Sequence, residues 1–170
     1  MKKTGFDTRR LCVTSLLVAV AMLLSYIESL VPPFVAIPGI KLGLSNVVTV
    51  FAFYTLGVPS AIGITLTRVF LSAILFGNTA SLIYSLSGAI LALAVMWLAL
   101  RFSVFSSVGV SVGGGVAHNA GQIIAACIVM KNAGISAYLA ALVVSGTIAG
   151  IAVGVLSGIL VEKLKNFVIK

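Results

Sequence analysis

Two short strings and one isolated arginine hold most of the side chains in this sequence that could do chemistry. In the first string, Pro38-Gly39-Ile40-Lys41-Leu42-Gly43-Leu44-Ser45-Asn46, an ammonium, a hydroxyl and an amide follow closely on one another. At the mouth of a helix, where backbone N–H groups point outward, such a set can hold an anion. Lys41 is equally suited to snorkelling from a membrane interface. The second string is His118-Asn119-Ala120-Gly121-Gln122. On a helix, His118 and Gln122 share a face and Asn119 lies near it, so three hydrogen-bonding groups meet in an otherwise apolar segment.

Arg68 stands alone in a long apolar run. A guanidinium at hydrocarbon depth costs at least about 2.5 kcal/mol on insertion scales, so it demands an ion partner, a wet cavity or a ligand. Glu28 is the obvious protein partner. At 1.5 Å per residue the two depths match within a turn or so, and the sequence leaves both a structural ion pair and a ligand role open.

Several other chemistries lack their residues. The chain has one histidine and three acidic residues, and Cys12 and Cys127 form no CxxC spacing. No metal site is therefore expected, and no acidic cluster of the DDxxD type exists to hold a magnesium diphosphate. Asp7 is the sole aspartate, which rules out a Ser-His-Asp triad inside a membrane. Gly113-Gly114-Gly115 runs into Val116-Ala117 without the lysine of a phosphate loop. We expect no catalytic residue and no cofactor in this chain, so any use of ATP requires a separate subunit.

The elements that must position these groups follow from where charge is missing. Between Arg10 and Lys163 only Glu28, Lys41, Arg68, Arg101, Lys131 and Glu162 are charged, and 61% of the 170 residues are hydrophobic. Mean hydropathy is +1.25. A soluble domain is only about 45–50% apolar, so this composition describes an all-α, polytopic membrane protein forming one integral domain over residues 1–170. Prolines and glycines divide it into six expected helices at about 11–30, 40–56, 60–76, 80–100, 104–130 and 136–161. The basic start followed by an apolar run has the outline of a signal peptide, but without a small-residue cleavage site it reads as a retained first helix.

Six crossings put both termini on one side. Lys2, Lys3, Arg9, Arg10, Arg101, Lys163, Lys165 and Lys170 gather there, against Lys41 and Lys131 opposite, so the termini are expected in the cytoplasm. The net charge of +8 is confined to chain ends and short connections. That distribution suits anionic lipid headgroups, and no basic stripe with interleaved aromatics supports nucleic-acid binding.

Gly146, Gly150, Gly154 and Gly158 fall on one face of the last helix, where another backbone can approach closely. Gly109 and Gly113 to Gly115 do something similar in the fifth segment. Ser15, Ala19 and Ala21 offer a milder small-residue surface in the first. Each surface serves either packing within the chain or docking of a membrane partner.

The string from Pro38 to Asn46, Arg68 in the third helix, and Gly109-Val110-Ser111 leading to Ala117-His118-Asn119-Ala120-Gly121-Gln122 together resemble the Gx transporter family, also labelled heptaprenyl diphosphate synthase component I. The resemblance covers nearly the whole chain. That family in turn looks like the substrate-binding S components of energy-coupling factor (ECF) importers, six-helix proteins of the bacterial plasma membrane. What it implies is capture of a small, anionic or amphipathic solute from the outer face. The site would be formed by Lys41, Asn46, Arg68, His118, Asn119 and Gln122 and gated by the first loop. It also implies a transmembrane coupling protein with ATPase subunits as partners, docked on a surface around Ser15 and Ala19. The synthase label implies an alternative, a membrane auxiliary subunit linked to prenyl diphosphate or quinone biosynthesis.

Overall fold

The computed structural model describes residues 8–30, 43–102 and 105–169, with side chains through residue 166. Among the described residues six α-helices follow in chain order: α1 Thr8–Leu30, α2 Asn46–Thr55, α3 Val58–Phe76, α4 Thr79–Arg101, α5 Ser107–Val129 and α6 Leu139–Ile169. A 3₁₀ segment, Ala133–Tyr138, leads into α6, and no strand occurs among the described residues. The starts of these helices are set locally. Pro59 occupies the first turn of α3, Asn78 caps α4 through the Ser81 N–H at 2.8 Å, and Ser106 accepts from the Gly109 N–H at the start of α5.

Five of the helical segments, α1, α3, α4, α5 and the stretch containing α6, are long and apolar enough to cross a membrane. The protein is an all-helical membrane protein. Of the expected second segment over 40–56, residues 40–42 lie outside the described residues, and after the turn at 43–45 the described helix runs over Asn46–Thr55. Ten residues rise about 15 Å, half of the roughly 30 Å hydrocarbon core. A short helix with a non-helical entry is tolerated at such depth only where protein surrounds it. Accordingly every residue of α2 except Tyr54 is buried.

Side-chain bridges hold α2 in place. Thr49 and Thr65 hydroxyls meet at 2.8 Å between α2 and α3, and Ser157 of α6 donates to the Val47 carbonyl at 3.1 Å. Val50, Ala52, Ile64, Met96 and Val110 form the apolar core around it. Arg10 fixes direction: its guanidinium donates to the Leu56 carbonyl at 2.8 Å and to the Ser60 hydroxyl at 3.0 Å. The start of α1 therefore lies beside the end of α2 and the start of α3.

On the other side of the bundle, α5 is clasped between α4 and α6 by glycine contacts. A β-carbon at Gly121 would sit 2.7 Å from the Ser87 carbonyl oxygen of α4, and one at Gly150 would sit 2.7 Å from Val112 Cα. Gly146, Gly154 and Gly158 extend the same face of α6 along α5. Lipid tails cannot compete with backbones that approach this closely.

By contrast α1 is peripheral, burying only Ala21, Ser25 and Glu28. Ser15 and Ala19 are exposed. Ala21 does not share their surface: two residues on a helix diverge by more than half a turn, and Ala21 packs inward, 1% exposed.

Candidate functional site

The stripe Ala21, Ser25 and Glu28 has the spacing of four and three that turns one helical face inward, and it aims two polar groups at α2 and α3. Across from it, Arg68 is 3% exposed in the middle of α3. Its Nη1 donates to the Ser25 hydroxyl at 3.1 Å, whereas Nε and Nη2 have no hydrogen-bond partner among the described residues. The Glu28 carboxylate is near enough for its charge to act on the guanidinium.

Glu28 itself accepts the backbone N–H of Gly43, and Oε1 also lies 3.4 Å from the N–H of Leu44. These are orphan donors ahead of α2, a position where the helix dipole favours negative charge. Gly43 takes φ +87°, a left-handed conformation that residues with a β-carbon adopt at a cost. Both its conformation and its empty side chain are used. A β-carbon there would stand 2.8 Å from Asn46 Nδ2 and 3.8 Å from His118 Cδ2.

Gly43 thus joins two halves of one buried polar layer. On one side lie Ser25, Glu28 and Arg68; on the other lie Asn46 and His118. The imidazole reaches on to α4, where a β-carbon at Gly88 would be 3.1 Å from His118 Cε1 and 3.0 Å from Gln122 Cγ. Asn46, His118 and Gln122 are 4%, 3% and 0% exposed, an unusual burial of polar groups that hydrogen bonding must compensate.

Asn119 points elsewhere. Its Nδ2 donates to the Leu142 carbonyl at 2.7 Å, tying α5 to α6 near Gly146. Beside it a narrow crevice between α2, α5 and α6 is bordered by Asn46, Ser111, Gly115 and Gly150. The Ser111 hydroxyl is 1% exposed and has no hydrogen-bond partner among the described residues. Lys41 lies outside the described residues, as do the rest of residues 31–42.

Sequence reasoning did not single out Ser25, Gly88 or the acceptor role of Glu28. The inward stripe on α1 was the available signal for Ser25. Gly88 carries none, because its role is defined only by the side chains of α5 that fill the space it leaves.

The layer gathers a guanidinium, an imidazole and two side-chain amides inside an otherwise apolar bundle. A search of curated proteins and a search of solved structures each returned no match. Comparison with protein families matches residues 17–160 to heptaprenyl diphosphate synthase component I, and over that share of the chain the match shows that the protein belongs to this family.

Proposed function

We propose that the chain is the substrate-binding membrane subunit of an ATP-driven importer of the ECF type, and that it captures a small anionic or amphipathic solute from the outer face. One observation carries the reading. Arg68 is buried within an apolar bundle, yet two of its three nitrogens have no hydrogen-bond partner among the described residues. A ligand oxygen at Nε and Nη2 would supply what the helices withhold. Asn46, His118 and Gln122 would orient the solute, with Lys41 at its entrance; Asn119 would act from the α5–α6 side.

The arrangement of the helices supports six passages through the membrane. Arg10 bonds the start of α1 to the end of α2 and the start of α3, which supports a return of the chain between α1 and α3. Both termini then share a side, and the excess of Lys and Arg there argues for the cytoplasm of a bacterial cell. Exposed Ser15 and Ala19 on the weakly buried α1 provide a close-approach face for a transmembrane coupling protein, with ATPase subunits behind it.

A second reading, a membrane auxiliary subunit for prenyl diphosphate or quinone synthesis, is favoured by the description of the matched family, which names one component of a synthase. Three acidic residues in the whole chain leave the diphosphate–metal chemistry to another subunit under that reading. Co-production separates the two. The importer reading expects a stoichiometric complex with a coupling protein and ATPases that survives purification; a complex with a prenyl synthase and none with those subunits would overturn it.

A further inference from the structure

The two Arg68 nitrogens that have no hydrogen-bond partner among the described residues are a matched pair. Nη1 donates to the Ser25 hydroxyl at 3.1 Å, which leaves Nε and Nη2. These two lie along one edge of the planar guanidinium with their N–H bonds parallel, so together they form a fork. A carbonyl, a hydroxyl or a halide offers such a fork a single acceptor atom. A carboxylate offers two, and meets both prongs with parallel N–H···O bonds.

The protein's own carboxylate is turned elsewhere. Glu28 accepts the backbone N–H of Gly43, and its Oε1 lies 3.4 Å from the N–H of Leu44, so it serves the approach to α2 while its charge still acts on Arg68. That charge limits what a guest can bring. Among the described residues Glu28 and Arg68 are the buried carboxylate and the buried strong cation of the bundle, and they offset each other. His118, on the far side of Gly43, is the one further group of this layer that can become positive. The layer can therefore balance one added negative charge. A second or third charge on the same guest would be stripped of water with no cation to meet it, at a cost of several kcal/mol per ion.

We propose that the solute held by Arg68 is a monocarboxylate, its two oxygens seated side-on across Nε and Nη2. The proposal rests on the reading that Arg68 faces a solute, and it names the class of that solute. A diphosphate matches the fork but exceeds the charge that the layer can balance.

Acetate is the probe, because it carries the carboxylate and little else. Binding of radiolabelled acetate to the full chain in detergent is measured by scintillation proximity at fixed ionic strength. Unlabelled propionate should displace the label at least about tenfold better than acetamide, chloride or pyrophosphate. Arg68→Lys keeps the charge and removes the fork, and it should weaken acetate binding at least about tenfold at matched helical content. On the unmodified protein, an absence of saturable acetate binding would overturn the proposal, and so would displacement by pyrophosphate or acetamide on a par with propionate. Full retention of acetate by Arg68→Lys would overturn it as well. The importer reading stands or falls separately. Acetate held by a chain that forms no complex with a coupling protein sinks that reading alone, and a complex whose binding subunit ignores carboxylates sinks this one alone.

Discussion

The carboxylate of Glu28 accepts the backbone N–H of Gly43, so a residue near the end of α1 caps the approach to α2 from a separate helix. The same carboxylate acts by charge on Arg68. One acidic group thereby fixes the entry to the short buried helix and offsets the guanidinium beside it.

Removing that charge alone should be costly. Glu28→Gln leaves Arg68 uncompensated in a dry site, a situation that destabilises by about 3–5 kcal/mol in buried ion pairs. Denaturation in detergent should show a loss in that range, and Glu28→Gln with Arg68→Gln should recover part of it. Additive losses in the double-mutant cycle would mean the two charges do not act on each other.

Glycines on the bundle should divide by what faces them. A methyl at Gly150 meets Val112 Cα at 2.7 Å, whereas one at Gly63 meets nothing within 4 Å. Gly150→Ala should lower the melting temperature by forcing α6 away from α5. Gly63→Ala should raise stability by up to about 1 kcal/mol through helix propensity alone. Melting curves of the two variants, side by side, check this.

The exposed small-residue face of α1 gives a third test. Ala19→Trp should leave melting temperature and gel-filtration behaviour unchanged, because position 19 is exposed, yet abolish co-purification with a coupling protein. A variant that still assembles at full yield would remove α1 from the docking surface.

How far the fold was legible depends on which signals are local. Gly57-Val58-Pro59 and Gly77-Asn78-Thr79 separate long apolar runs, and α3 and α4 begin within two residues of where those signals place them. The start of α2 was not legible. Pro38 and Gly39 offer an earlier start, and the break at Gly43 depends on a positive φ and on a carboxylate from α1 that no neighbour in sequence announces.

The site divides in the same way. His118 and Gln122 could be grouped because helical spacing of four guarantees a shared face, and both do border Gly88. Asn119 breaks from them because one residue along a helix turns a side chain by about 100°, enough to send it to α6 instead. Arg68 announced itself by its charge, but its donation to Ser25 could not be anticipated without knowing which faces of α1 and α3 meet.

The central claim is that the layer around Arg68 holds a small molecule. Native mass spectrometry of the protein purified gently from its own membranes tests this most directly, comparing the unmodified chain with Arg68→Ala at matched helical content. We predict a bound small-molecule mass on the unmodified protein that is lost or reduced at least tenfold, by about 1.4 kcal/mol, in the variant. An unmodified protein that carries no such mass, or a variant that retains it in full, would contradict the account.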